Sequence, residues 1–218
     1  IKIQKYEDVE EKFFSGREFT GTIDSVQAVL NDVKERGDAA LAEYSEKFDR
    51  IALSSFEVKS EVLKAAADKM KAERKELFDA LSYSRDLAYR FALKQKECFT
   101  DFEIELESGV FTGQKNIAVE KAGAYVPAGR FPLVSSVVMT VVPAKAAGVG
   151  EGILCTPPRA NPNGTNEPYA DENIMAAAYI CGVNRVFALG GAQAVAAMAF
   201  GSQSVPKVDV IVGLETSL

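Results

Sequence analysis

The 218-residue chain has no histidine, no tryptophan and only three cysteines, Cys98, Cys155 and Cys181, which stand far apart. Without an imidazole the chain alone builds neither a histidine-dependent triad nor a histidine-ligated zinc site. An odd number of dispersed thiols gives neither a disulfide framework nor the close pairs of a structural zinc centre, so these cysteines read as buried or inert. No basic run occurs and the formal net charge is -6, which excludes nucleic acid and anionic membrane as expected partners. Long apolar runs are missing as well. The least polar stretch, residues 134–150, contains Pro143 and Lys145 and many small residues, which suits a buried helix and not a membrane span. Nothing resembling a secretory signal leads into the first charged segment, so the expectation is a cytoplasmic protein acting on small molecules.

What is present is an ordinary globular composition, 47% apolar and 26% charged, enough for one large domain or two small ones. Thr22-Ile-Asp-Ser25 offers a capping residue, with Gln27 three positions after Asp24, and Val26, Val29, Leu30 and Val33 follow at helical spacing up to Gly37. A shorter helix carries Leu41, Tyr44 and Phe48. From Ser60 one long amphipathic pattern runs through Leu63, Ala67, Met70, Leu77, Leu81, Leu87 and Phe91. Between Phe102 and Val119 the period changes to two, with Phe102, Ile104 and Leu106 alternating with glutamates before a Ser108-Gly109 turn. That predicts a β-hairpin connector.

Beyond the hairpin, four short apolar runs (around 124–126, 153–156, 185–189 and 208–212) alternate with helical segments near 133–147, 170–181 and 192–200. Alternation of this kind implies a parallel sheet with crossover helices. The expected fold is α/β: a helical amino-terminal region with its hairpin over residues 1–121, then a doubly wound, incomplete Rossmann-like unit over residues 122–218. Residues 122–213 are expected to be self-contained, with the amino-terminal helices left showing apolar surface. Asn161 to Pro168 reads as a turn-rich surface loop.

Two segments are candidates for ligand binding. Gly190-Gly191 falls between a predicted strand and a predicted helix, where free N–H groups receive an anion such as a cofactor phosphate, or where the glycines simply allow a tight turn. Asp209 is placed near the start of its strand, whereas a ribose-binding acid belongs at a carboxyl end, so it reads as a strand-edge residue. Tyr125-Val-Pro-Ala-Gly-Arg130 leaves the first strand of the unit toward the next helix, the position that lines the crevice in open α/β sheets. Tyr125 suits stacking on a planar ring and Gln193 a hydrogen bond to an amide or hydroxyl; a packed tyrosine and an exposed helical glutamine are the alternatives. Arg130, Lys145 and Arg159 are either phosphate partners or solvated cations.

Gly123-Ala-Tyr-Val-Pro-Ala-Gly-Arg-Phe-Pro-Leu133, Ser135-Ser-Val-Val-Met139, Pro143-Ala-Lys-Ala-Ala-Gly148, Cys155-Thr-Pro-Pro158 and Gly190-Gly-Ala-Gln-Ala194 together resemble the histidinol dehydrogenase family in order and spacing. Asn31 to Leu41 and Glu43 to Asp49 fit its amino-terminal region, so the resemblance spans nearly all of residues 22–213. It implies zinc-binding homodimers that oxidise L-histidinol to L-histidine with two NAD, the last stage of histidine biosynthesis. It further implies that Tyr125 and Gln193 contact NAD. The family's zinc ligands and its Glu-His acid/base pair match no residue here, so no catalytic and no metal-binding residue is assigned. The chain alone is then expected to be inactive, with a partial NAD site. A non-enzymatic nucleotide-binding or dimerisation module built on the same residues is the alternative. An enzyme built on Cys155, Lys145 or acidic residues is disfavoured, since no base is visibly paired with Cys155.

The family pattern continues after Gly213 as Pro-Gly-Asn, whereas this chain reads Leu214-Glu-Thr-Ser-Leu218, with Thr216 at the asparagine's position. The expectation is a truncation by a single-base deletion that shifts the reading frame; a vector-derived tail is the alternative.

Overall fold

The computed structural model describes residues 20–128 and 131–213. In chain order the elements are α1 (Thr20–Arg36), α2 (Asp38–Tyr44), a π-helical turn (Ser45–Asp49), β1 (Glu57–Val58), α3 (Ser60–Glu73) and α4 (Lys75–Lys96). The hairpin β2 (Phe102–Glu107) and β3 (Val110–Gln114) follows. The α/β part is β4 (Lys121–Tyr125), α5 (Val134–Ala147), β5 (Glu151–Thr156), α6 (Glu172–Cys181), β6 (Arg185–Ala188), α7 (Gly191–Phe200) and β7 (Val210–Gly213).

The expected doubly wound parallel sheet is present. Its strand order is β1-β6-β5-β4-β7. Strands β4 to β7 are mutually parallel, and β7 returns to lie beside β4, with Tyr125 opposite both Cys155 and Gly213. The order therefore reverses between β4 and β7, which makes the carboxyl ends of those two strands the switch point where such folds open a crevice. Strand β1 pairs antiparallel with β6, Val58 opposite Val186, and was not foreseen, because two residues carry no periodicity.

Alternation along the strands sends successive side chains to two separate cores. Leu154 and Val186 join Val137 and Val141 of α5 and Ile174 of α6 on one face; Ile153, Cys155 and Phe187 join Ala194 and Met198 of α7 on the other. Both cores draw on the amino-terminal segment. Leu63, Ala67 and Met70 of α3 and Leu81 of α4 complete the first, while Val29, Val33 and Leu41 complete the second. The expectation of a self-contained unit over 122–213 is therefore revised: its sheet is covered in part by residues from before 121.

The helical readings need three further corrections. Helix α1 starts at Thr20, so Asp24 lies within it and does not cap it. The pattern from Ser60 is two helices and not one, broken at Arg74, whose φ of -139° and ψ of 57° leave helical geometry. In consequence α4 turns only part of its apolar stripe inward: Leu81 is buried, but Leu77, Leu87 and Phe91 are exposed, Phe91 to 66%. Phe48, on the π-helical turn, is likewise exposed and stacks on Tyr44 with centroids 5.4 Å apart. The hairpin is exposed along both strands, and a two-stranded ribbon in that condition is marginal by itself. Asp101 ties its base by accepting from the Asn116 N–H at 2.7 Å.

Because the cores are shared, an isolated 122–213 fragment is expected to lack cooperative thermal unfolding, while the whole chain melts in one transition by circular dichroism. In the whole chain Phe187→Ala, at a fully buried site, is expected to cost about 3–5 kcal/mol in urea unfolding. Phe111→Ala, on the exposed hairpin, is expected to stay within about 0.5 kcal/mol.

Candidate functional site

Tyr125 is the last residue of β4 and its side chain lies on the α7 face of the sheet. Two residues earlier on the same face, Gly123 has no side chain, and Met198 occupies that space: a Cβ there would lie 2.6 Å from the Met198 sulfur. Helix α7 is thereby drawn close to β4, and its first residue, Gly191, donates its N–H to the Tyr125 hydroxyl at 3.0 Å. Gly191 has φ of 62°, a left-handed conformation that glycine adopts without penalty. Burial pushes the Tyr125 phenol upward, while the Gly191 N–H opposes the shift by stabilising the phenolate.

Gln193 sits one turn into α7 and is only 2% exposed, so the exposed-glutamine alternative does not hold. Its carboxamide folds back toward Gly191, with Oε1 2.7 Å from where a Gly191 Cβ would be. Tyr125 and Gln193, 68 residues apart by their numbers, thus meet around one backbone position at the switch point.

The three helices that join the parallel strands differ at their amino ends. Helix α6, farther from the switch point, is capped by Asp171, whose side chain accepts from the Asn173 and Ile174 N–H groups. Helices α5 and α7, which flank the crevice, have no cap from their own N-cap residues, Leu133 and Gly190, and at α7 only the Gly191 N–H is taken, by the Tyr125 hydroxyl. Uncapped N–H groups and the positive end of the helix dipole together favour an anion.

The predicted cations divide. Arg159 stands on the loop after β5 and donates from Nη2 to the Ala128 carbonyl at 2.6 Å, beside the crevice. Lys145 is at the opposite edge of the sheet, donating to the Gly182 carbonyl at 2.8 Å and the Cys181 carbonyl at 3.3 Å, so it closes the carboxyl end of α6 and meets no crevice ligand. Arg130 lies outside the described residues, as do Thr216 and the tail from Leu214. Asp209 accepts from the Lys121 N–H at 2.9 Å at the amino ends of β4 and β7, away from the crevice. A broad groove lined by Gln95, Lys96, Phe99, Lys115 and Asn116 also lies away from Tyr125 and Gln193.

One site residue escaped the sequence. Asp49, the last residue of the π-helical turn, reaches the same edge, because the chain from there leads to Phe56, whose carbonyl accepts from Ala188 at the end of β6 at 2.8 Å. Burial pushes its carboxyl upward and Arg159 opposes the shift. Among the described residues, buried side-chain atoms without a hydrogen-bond partner include Asp49 Oδ2, Thr156 Oγ1 at the end of β5 and Ser136 Oγ in the first turn of α5. All three stand at the carboxyl edge of the sheet. A lone acid in a charged segment gives no positional signal, and only the fold shows where Asp49 goes.

An open, mostly parallel α/β sheet with a glycine-led helix, α7, at its switch point defines the doubly wound class of fold. Residues 15–215 match the family model described as histidinol dehydrogenase, and the chain belongs to that family. It is 45% identical over 190 residues to the histidinol dehydrogenase of Methanosarcina mazei, a match covering 87% of this chain and 42% of that protein. It is 40% identical over 194 residues to the sulfopropanediol 3-dehydrogenase of Ruegeria pomeroyi, covering 87% and 41%. The crystal structure of histidinol dehydrogenase from Elizabethkingia anophelis superposes with a TM-score of 0.79 at 30% identity, covering 93% of this chain and 44% of that one. The chain thus spans less than half the length of the curated relatives it matches. No helix among the described residues is long and apolar enough to cross a membrane.

The donor set does not fit zinc. The sequence has no histidine, and no group of three or more Cys, Asp or Glu among the described residues is placed to hold a metal. Burial pushes the Cys155 thiol up to about 12 and the Cys181 thiol up to about 11, away from the thiolate that a nucleophile or metal ligand requires. Cys98 alone of the three is exposed. Titration of the folded protein with a thiol-reactive disulfide at neutral pH is expected to modify Cys98 rapidly and the other two only after denaturant is added.

Proposed function

We propose that this chain is the dinucleotide-binding part of an NAD-dependent, alcohol-oxidising enzyme of the histidinol dehydrogenase family, serving the oxidation of L-histidinol to L-histidine in histidine biosynthesis. The observation that carries the reading is the meeting of Tyr125, Gly191 and Gln193 at the switch point, between two uncapped helix amino ends. When bound, NAD supplies the hydride acceptor. The chain's own part would be to hold it: the remaining N–H groups at the amino ends of α5 and α7 would receive the diphosphate, the Tyr125 ring would border a planar group, and Gln193 would supply a donor and an acceptor. The Ruegeria relative supports a division of labour. A protein named for a different alcohol keeps 40% identity over nearly the same segment, as expected if this segment serves the cofactor and not the choice of alcohol.

The chain by itself is proposed not to turn over histidinol. Family zinc would polarise the substrate, and the residues present do not fit that metal, so no step is assigned to it. An NADH absorbance assay with L-histidinol is expected to stay at background; turnover that tracks the purified protein through chromatography would overturn this. NAD affinity is expected to be weak and to fall about fivefold in each of Tyr125→Ala and Gln193→Ala, the effect of losing a contact worth about 1 kcal/mol. Calorimetric titration decides, and equal, tight binding by all three proteins would contradict the site.

A homodimer is also proposed, since Phe102 and Ile104 lie exposed on one face of the hairpin and Phe111 on the other, apolar side chains that association would cover. Sedimentation velocity is expected to show concentration-dependent association, and a strictly monomeric particle would count against it.

A further inference from the structure

In doubly wound sheets the acid that binds a nucleotide's ribose usually stands at the carboxyl end of the second strand. The second strand here is β5, and it ends in Cys155-Thr156-Pro157-Pro158, with no acid. We propose that Asp49, contributed by the π-helical turn of the amino-terminal segment, takes that place and accepts a hydrogen bond from a ribose hydroxyl of the bound nucleotide. The inference rests on the dinucleotide reading of the crevice.

Three observations carry it. The first is placement: five residues after Asp49 the Ser54 N–H donates to the Asn166 carbonyl at 2.8 Å, on the loop that leaves β5, and the Phe56 carbonyl accepts from Ala188 at the end of β6 at 2.8 Å, so this segment is held at the carboxyl edge of the sheet, where Arg159 opposes the upward shift of the Asp49 carboxyl. The second is the state of its carboxylate. The side chain is half-buried, and Oδ2 is sealed from solvent without any donor. A carboxylate oxygen that has lost water and gained nothing is costly, and such groups persist where a ligand or a reaction supplies the missing partner. The third is the backbone. Arg50, directly after Asp49, has φ of 59° and is the sole non-glycine residue with positive φ among the described residues. That left-handed residue ends the π-helical turn, the Arg50 N–H donating back to the Ser45 carbonyl, and so fixes where Asp49 stands.

The chemistry selects the ligand group. Asp49 accepts hydrogen bonds when ionised and would repel a phosphate, whereas a vicinal diol offers two O–H donors and no charge. Arg159 beside it keeps the local charge near balance for a ligand that also carries phosphate.

The test is calorimetric titration of the whole chain with ADP, with 2′,3′-dideoxy-ADP and with NAD, for the wild type, Asp49→Asn and Asp49→Ser. The wild type is expected to bind ADP roughly tenfold more tightly than the dideoxy form, as for a charge-assisted hydrogen bond, and both variants are expected to bind the two alike. Without ligand, Asp49→Asn is expected to melt at or above the wild-type temperature, because it relieves a half-buried carboxylate of which one oxygen lacks a donor. A merely structural acid would instead lower the melting temperature and leave the ADP preference in place. If the wild type binds NAD and ADP but ignores the ribose hydroxyls, or if the variants keep the preference, the Asp49 assignment falls and the cofactor reading stands. If the wild type binds neither NAD nor ADP at millimolar concentration, both fall together. The wild-type comparison of the two ADP forms needs no variant, so it remains decisive even if a substitution impairs folding.

Discussion

Helix α7 rests on the sheet at a distance set by a missing side chain. Met198 fills the space above Gly123, and even one carbon there would collide with its sulfur. Gly191 lies seven residues before Met198, about two helical turns away and on the same side of the helix. Seating Met198 on β4 therefore also seats the amino end of α7 against the end of β4, which brings Gly191 within hydrogen-bonding distance of Tyr125. The position of Gln193 follows from the same contact. A tight core packing and the chemistry of the crevice are two ends of one rigid element.

Much of this is legible in the sequence. The alternation of apolar runs with helical periods located β4 to β7 and α5 to α7 within a few residues, because each strand is bounded by turn residues and each helix is long enough to show its period. Tyr125 and the glycine pair are candidates by the rule that strand-end loops line the crevice, and the structure brings them together. The failures have local physical causes. Arg74 breaks a helix without glycine or proline, so the periodicity from Ser60 to Phe91 continues across a break that only packing reveals. β1 is two residues long. Gln193 looks like an exposed helical amide in sequence and is buried by tertiary contacts that composition does not encode. Asp49 depends on a π-helical turn followed by a left-handed arginine, a geometry with no residue signature.

Charge plays a secondary part in holding the two segments together. Lys69 pairs with Glu172 at 2.9 Å, Lys59 with Glu167 at 2.6 Å and Arg185 with Glu57 at 2.7 Å, each joining the amino-terminal segment to the α/β part. These pairs are substantially exposed, and such pairs contribute little beyond fixing orientation. The two apolar cores do the joining. They bury Leu63, Ala67 and Met70 on one side of the sheet and Val29, Val33 and Leu41 on the other, so the sheet is covered on both faces, as a parallel sheet requires.

Drawing on both segments for each core has a consequence for how such a protein is inherited. A binding unit that travels as a cassette must carry its whole hydrophobic interior in one contiguous stretch of gene. Here a crossover between the codons for Glu107 and Lys121, the natural seam by sequence, would give Val58 and Val186, and likewise Val33 and Met198, different parents although they belong to the same strand pair and the same core. Any recombinant would have to reinvent complementary surfaces on two sides of a sheet at once. The segment before the hairpin and the segment after it are therefore expected to share one evolutionary history, substitutions on either side answering those on the other.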